Sequence, residues 1–253
     1  MSTKALLLAA GYGQRLNPFT KVLPKPLIPI NEKPIIEHII QRFIDIGCLD
    51  FHLTVNYKSK IINFININYI KNQNFATTNM NESLFCASDK LLNSVIISYS
   101  DIIFEGKIIQ QMLKFSGDMG IAVNLNWQKY YDGRSLHPLN EAENVLIKNE
   151  KIIQIKKDIS EESSDKKIGE FLGIVKLSKE GAKVLLQKYL DLKENHTGSF
   201  HMAKSLNEAY ITDMLQEIID SGYDVSPVIV DGNWCEIDTP QDLEKVERTS
   251  IFN

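Results

Sequence analysis

The sequence predicts an α/β fold, an open and mainly parallel sheet with helices on both faces, interrupted by an inserted antiparallel hairpin. Three observations carry this expectation. Short apolar runs of strand length alternate with amphipathic runs of helix length through the first half of the chain. The apolar runs, such as Ala5–Ala10 and Val228–Val230, stay far below the roughly 20 residues that a membrane-spanning helix needs. The rhythm breaks once, over residues 127–159, where turn residues surround two short alternating runs.

Lys4–Ala9 reads as a buried first strand. Ile35, Ile36, Ile39, Ile40, Phe43 and Ile44 fall at helical spacing within Ile35–Ile46, and Gly47 ends the helix. Phe51–Tyr57 is the next strand, followed by a helix over Ser59–Tyr69, an extended stretch near Asn74–Thr77 and a short helix from Ser83. Val95–Ser100 is a strand ending at Asp101, Lys107–Phe115 a helix, and Ile121–Asn126 a strand. The break contains Asp132-Gly133, His137-Pro138 and Lys148-Asn149-Glu150 around Asn144–Ile147 and Lys151–Ile155, the pattern of a hairpin or lid. Phe171–Leu177 resumes as strand. Helices follow at Lys179–Leu192, Phe200–Ala209 and Thr212–Ser221, then the strand Ser226–Val230. Thr239-Pro240 opens a last helix, with Thr at the N-cap and Asp242 near its positive end. Neither a linker nor a repeat divides the chain, so residues 1–253 are expected to form a single domain with a lid-like insertion around 127–159.

At 253 residues, 43% of them hydrophobic and 24% charged, the chain has ample material for a core. Lys plus Arg number 28 against 32 Asp plus Glu, a net charge of −4 without a basic cluster, which speaks against nucleic acid as a partner. No membrane association is expected. The N-terminal apolar run flows into a glycine turn and reads as a strand, so a cytoplasmic location is expected. Cys48, Cys86 and Cys235 form no CxxC pair and suggest neither a disulfide framework nor a zinc site. His38, His52, His137, His196 and His201 lack metal-ligand spacing and are expected to pack or cap. A homodimer is the expected assembly on base rates alone.

The strongest chemical signal is Leu6–Leu16 followed by Lys25-Pro26-Leu27. A strand running into small residues and two glycines, Gly11 and Gly13, exposes backbone N–H groups to a phosphate. Arg15 adds a fork of donors, and Lys25 is held in a stretch stiffened by Pro24, Pro26 and Pro29. A dinucleotide fingerprint would need a third glycine where Leu16 stands, and a Walker A loop would need GK[ST]. Asp101, at a strand's carboxyl end, and Asp238 are candidate Mg²⁺ ligands, since that cation takes one or two carboxylates plus phosphate oxygens.

The run Leu8–Arg15 with Pro18, Thr20, Lys25 and Pro26 resembles the signature of nucleotidyltransferases that activate phosphorylated metabolites with an NTP. Further stretches look like the branch of phosphocholine and 2-aminoethylphosphonate-type cytidylyltransferases: Thr78–Met80 with Ser83-Leu84, Tyr131–Arg134 with His137–Leu139 and Glu141–Glu143, Gly169–Gly173, Tyr210–Asp213 and Trp234–Thr239. The resemblance spans nearly the whole chain. It implies a Rossmann-like, nucleotide-diphospho-sugar transferase-like sheet, with CTP and a small phosphorylated amino metabolite as substrates and Mg²⁺ as cofactor. It further implies a nucleotide site at Leu8, Ala9, Ala10, Gly11, Tyr12, Gly13, Arg15, Lys25, Asn79 and Ser83. Lys25, Arg15, Asp101 and Asp238 would carry catalysis, the two aspartates as metal ligands. Ser100 stands where glycine often precedes the first aspartate.

Lys157 resembles a lysine that approaches the acceptor phosphate, with Lys156 competing for the role. An acceptor amine calls for aromatic faces and carboxylates. Trp127, Tyr131 and Trp234 are candidates for the first, and Glu170, Asp213 and Glu236 for the second. Three alternatives stay open: a sugar-1-phosphate nucleotidyltransferase using UTP or dTTP, a catalytically silent nucleotide-binding regulatory subunit, and a dinucleotide oxidoreductase, the last disfavoured by the missing third glycine.

Overall fold

The computed structural model describes residues 4–160 and 165–248. The strands are β1 (Lys4–Ala9), β2 (Pro29–Ile30), β3 (Lys33–Pro34), β4 (Phe51–Val55), β5 (Ile67–Lys71), β6 (Val95–Tyr99), β7 (Ile102–Phe104), β8 (Met119–Asn124), β9 (Glu143–Lys148), β10 (Lys151–Lys157), β11 (Lys166–Leu177), β12 (Ser226–Ile229) and β13 (Trp234–Glu236). The helices are α1 (Ile35–Ile44), α2 (Met80–Phe85), α3 (Gly106–Lys114), α4 (Lys179–Asn195), α5 (Ile211–Asp220) and α6 (Pro240–Glu247). Among the described residues, no helix is long and apolar enough to cross a membrane.

One nine-stranded sheet runs β10–β9–β11–β6–β1–β4–β5, with β8 and β12 added beside β11. The pairs β1–β4, β4–β5, β1–β6 and β8–β12 are parallel, and β11 is antiparallel to its neighbours. From β1 the chain moves to β4 and β5 on one side, then returns to β6 on the other. That reversal opens a crevice beyond the carboxyl ends of β1 and β6, where open α/β sheets bind ligands. Leu6 and Leu7 in β1, and Ile96 and Ile97 in β6, are buried, as strands covered on both faces require. Helices α3, α4 and α5 pack against β8, β11 and β10.

The inserted hairpin is continuous with this sheet. β9 pairs with β10 through a tight turn and with Lys166–Glu170 of β11. Farther along, β11 exchanges β9 for β6, and Gly173 sits at the change with φ +64°. A Cβ there would lie 2.5 Å from the Tyr99 ring, so both backbone and space call for glycine.

Two expected helices give way to other structure. Ser59–Tyr69 forms one short turn at Ser59–Ile61 and then enters edge strand β5, because Ile67 pairs with Phe51 and Asn66, at φ +65°, breaks the chain direction. Phe200–Ala209 is a turn-rich segment with a single helical turn at Leu206–Glu208; Leu206 and Ala209 are buried across that turn, and the other buried residue, Phe200, is out of helical spacing with them. Near Asn74–Thr77 the chain turns instead of extending, the Asn72 side chain accepting from Asn74 N at 3.0 Å. The three-residue strands β7 and β13, absent from the sequence reading, pair antiparallel with each other.

Candidate active site

Leu8 of β1 and Tyr99 of β6 are register partners, so Ala10 and Asp101 emerge side by side at the crevice. The Ser100 hydroxyl donates to Leu8 O at 2.6 Å and ties the two strand ends together. Leu8, Ala9 and Ala10 are buried at the end of β1, while Gly11 and Tyr12 are exposed. Tyr12 packs against Tyr57 and Phe75 with tilted rings, the ring centres 5.0 and 4.9 Å away. Gly13 has φ +62°, and a Cβ there would lie 3.0 Å from Lys25 Cβ, so this glycine lets Lys25 fold under the loop.

Lys25 Nζ donates to Asp101 Oδ2 at 2.7 Å and to Asp238 Oδ1 at 2.6 Å. The two aspartates meet because β7 and β13 pair, and the ladder continues with Ile237 N donating to Asp101 O at 2.8 Å. Arg15 Nη2 holds the other Asp238 oxygen at 2.6 Å, its side chain remaining 52% exposed beside the loop. The buried His137 ring sits among these groups, with Nδ1 3.1 Å from Asp238 Oδ2 and Nε2 3.5 Å from Glu236 Oε2. The sequence assigns His137 only to packing or capping. Its signal was a histidine beside Arg134 within a turn-rich insert.

Burial alone would lower the Lys25 pKa, but the two aspartates outweigh it and hold the ammonium above the ordinary lysine range. Burial works against ionised Asp238 as well; Lys25, His137 and Arg15 reverse the sign and hold its carboxyl well below the usual range. Asp101 Oδ1 is buried without a hydrogen-bond partner, while its Oδ2 and Asp238 Oδ1 already converge on one cation. Carboxylate oxygens with an unmatched lone pair, next to a phosphate-sized loop, fit a hard divalent cation such as Mg²⁺. His137, Glu236 and Asp238 also bring three potential ligand atoms within 4.8 Å of one another.

Next to this centre lies a pocket lined by Tyr99, Ile102, Tyr131, Glu141, Glu143, Glu170, Phe171, Trp234 and Glu236. Glu170, Glu236, Tyr131 and Trp234 were anticipated in it. Glu141 and Glu143 belong to a stretch that carries the family resemblance, but neither has a role assigned from the sequence. Tyr131 Oη donates to Glu170 Oε1, and Glu143 accepts from Tyr99 Oη and Thr212 Oγ1, both at 3.1 Å. Burial pushes Glu143 up to about 7 and Glu170 up to about 8. Glu236 is also raised, by burial and by the charges of Asp238 and Asp101. Two buried atoms of pocket-lining residues have no partner, Glu170 Oε2 and Trp234 Nε1. Lys157 stands at the rim, paired with Glu141 at 2.7 Å.

Four expected contact residues have other duties here. Asp213 accepts from Tyr210 N at 2.8 Å and Met202 N at 3.1 Å, so its buried carboxylate caps α5. Trp127 is buried behind the pocket, edge-on to Tyr131 at 5.7 Å, and is absent from the lining. Asn79 caps α2 through Met80 N at 2.9 Å. The buried Ser83 hydroxyl accepts from Asn72 Nδ2 at 3.0 Å, so both residues hold the loop beside β1 in shape.

Residues 4–126 match the Nucleotidyl transferase family. CTP:phosphoglutamine cytidylyltransferase of Campylobacter jejuni is 30% identical over 251 residues, covering 95% of this chain and 97% of that one. Choline-phosphate cytidylyltransferase of Streptococcus pneumoniae is 33% identical over 106 residues, 40% of this chain and 46% of that relative. The solved structure of CTP:phosphocholine cytidylyltransferase from Streptococcus pneumoniae shares the fold with a TM-score of 0.73 at 23% identity, over 98% of each chain. With a relative 30% identical over 97% of its length and a family match over residues 4–126, this chain belongs to the nucleotidyl transferase family.

Proposed function

We propose that the protein is a cytidylyltransferase that transfers CMP from CTP to a small phosphorylated amino metabolite, releasing pyrophosphate, with Mg²⁺ as cofactor. The observation that carries this is the arrangement around one extended segment: Glu236 lines the acidic, aromatic pocket, and Asp238, two residues on, binds Lys25. The relative named for phosphoglutamine, alignable end to end, supports the same choice of substrates.

A phosphomonoester has a second pKa of about 6, so its oxygen is already anionic at pH 7 and needs no strong general base. The obstacle is repulsion between that anion and the triphosphate, which positioning and fixed positive charge overcome. Lys25, kept protonated by its carboxylate partners, would offer an ammonium to the α-phosphate. The amides of Gly11–Gly13 and the exposed Arg15 fork would hold the outer phosphates. Asp101 and Asp238 would hold Mg²⁺, which supplies further charge neutralisation when bound. The acceptor oxygen attacks the α-phosphorus, and the bond to the pyrophosphate oxygen breaks, without a covalent enzyme intermediate. In the pocket, Trp234 Nε1 calls for an acceptor, and Glu170 Oε2 calls for a donor once a bound cation ionises the carboxyl. That pair favours an acceptor bearing N–H groups and an oxygen over a trimethylammonium group, which donates nothing. Lys157, at the rim, would approach the acceptor phosphate once released from Glu141.

Pyrophosphate release, measured with Mg²⁺, each of four NTPs and a panel of phosphorylated acceptors, tests the proposal. Turnover with CTP and amino-phosphoryl compounds is expected. Turnover confined to UTP or dTTP with hexose-1-phosphates would make it a sugar nucleotidyltransferase. Nucleotide binding by calorimetry with silence across the panel would point to a regulatory subunit.

A further inference from the structure

Arg134 lies in the turn-rich stretch between β8 and β9, yet its side chain is only 4% exposed. Nε donates to Asp242 Oδ1 at 2.7 Å, while Nη2 lies 3.5 Å from both Glu236 O and Glu236 Oε2. The guanidinium also lies over the Tyr131 ring, 4.9 Å from its centre. Asp242 is fully buried, and its second oxygen accepts from Asp238 N at 3.0 Å, Thr239 N at 2.7 Å and Thr239 Oγ1 at 2.8 Å.

Thr239 and Asp242 form a capping box at the start of α6, a local device that needs no arginine. What Arg134 adds is a rigid link between regions far apart in the chain. Through Asp242 it reaches the main chain of Asp238; directly it reaches Glu236 and Tyr131. A planar fork with fixed donor directions can serve those partners together, which a single ammonium cannot.

We propose that Arg134 is a positioning residue that sets the offset between the Lys25–Asp101–Asp238 centre and the acceptor pocket. It touches none of the reacting atoms and acts through Asp242, Glu236 and Tyr131. The proposal rests on the assignment of the two centres given above. Wild-type turnover on the substrate panel tests that assignment, and variants of Arg134 and Asp242 test the offset.

The test compares Arg134→Lys and Asp242→Asn with wild type, using the nucleotide and acceptor pair that wild type turns over best. Arg134→Lys is expected to raise both the acceptor KM and the half-saturating Mg²⁺ concentration by about tenfold or more, with the nucleotide KM unchanged. Asp242→Asn is expected to move the Mg²⁺ requirement and leave the acceptor KM in place, because the contacts of Arg134 with Glu236 and Tyr131 remain. Apart from activity, hydrogen exchange at the Asp238 and Thr239 amides should quicken in both variants while the β1 amides keep their protection. Activity lost only in proportion to unfolded protein, with both KM values and the Mg²⁺ requirement unchanged, would overturn the proposal. So would wild-type exchange at Asp238 in Arg134→Lys. A wild-type protein silent on the panel counts against the assignment of the centres, and the exchange measurement then still decides whether Arg134 holds Asp238.

Discussion

The loop after β1 and the acidic pocket are neighbours built in opposite ways. The loop is one stretch of chain, Leu8 to Lys25, whose cationic groups answer to carboxylates from elsewhere. The pocket is assembled from residues spread between Tyr99 and Glu236, and its charged lining is entirely carboxylic. In the loop the ion pairs hold charges in their ionised forms: Lys25 is raised and Asp238 lowered. In the pocket burial dominates and pushes Glu143 and Glu170 towards their neutral forms. On the proposed reading a contiguous cationic loop would suit a triphosphate, whereas a dispersed pocket could change with the acceptor while the loop stays the same.

Breaking the loop side should cost most. Lys25→Ala is expected to lower kcat by about 10²–10³-fold, the cost of removing one fixed charge from a reacting centre. Steady-state rates, normalised to the folded fraction by circular dichroism, measure this, and unchanged turnover would remove Lys25 from the chemistry. Next comes Asp238→Asn, expected to raise the Mg²⁺ requirement by about 10–100-fold, a range known for groups that only support a metal site. An unaltered Mg²⁺ titration would reduce Asp238 to a helix-entry residue.

The pocket side should show smaller and more selective effects. Glu170→Gln removes a carboxyl that a bound acceptor amine would ionise and pair with, and is expected to raise the acceptor KM by about tenfold while sparing the nucleotide KM. The same variant sharpens the contrast in pH dependence. Glu170 goes from 4.5 to about 8 on folding and Glu143 from 4.5 to about 7. Both therefore stabilise the ligand-free fold fully below pH 4.5, and that stabilisation is lost as pH rises through 7 and 8. Asp238, held low, has the opposite sign, and its contribution is lost only in acid, below 3.8. Wild-type Tm should thus fall between pH 6 and pH 9, whereas Glu170→Gln, always neutral, should flatten that fall by about 3 °C or more, read by thermal denaturation. Parallel curves for the two proteins would mean that Glu170 is ionised throughout.

Legibility in the sequence follows the same division. The first strand and its glycine turn could be read because one short window holds the apolar run, Gly13 and Arg15. The parallel sheet could be read from alternation, and α6 from its cap and proline. Asp101 and Asp238 could be nominated from the family resemblance but not brought together, because β7 and β13 are three-residue strands without a hairpin signal. Glu143 and Glu141 lie in a stretch that carries the family resemblance, but their place in the pocket could not be read for another reason. An acidic residue in an alternating or turn-rich stretch reads as solvent-facing, and only tertiary packing buries it. Asp213 illustrates the converse, a carboxylate that suits a ligand and is engaged by two backbone amides.

Trp234, Glu236 and Asp238 are alternate residues of one extended segment, and such a segment advances about 6.6 Å for every two residues. On the proposed reading the backbone would work as a ruler, with Trp234 and Glu236 toward the acceptor's amino end and Asp238 toward its phosphoryl end. A molecule with the right charges but one methylene too few or too many would meet one mark and miss the other. Selection by length would then be built into the covalent spacing of the chain, before any side chain in the pocket is exchanged.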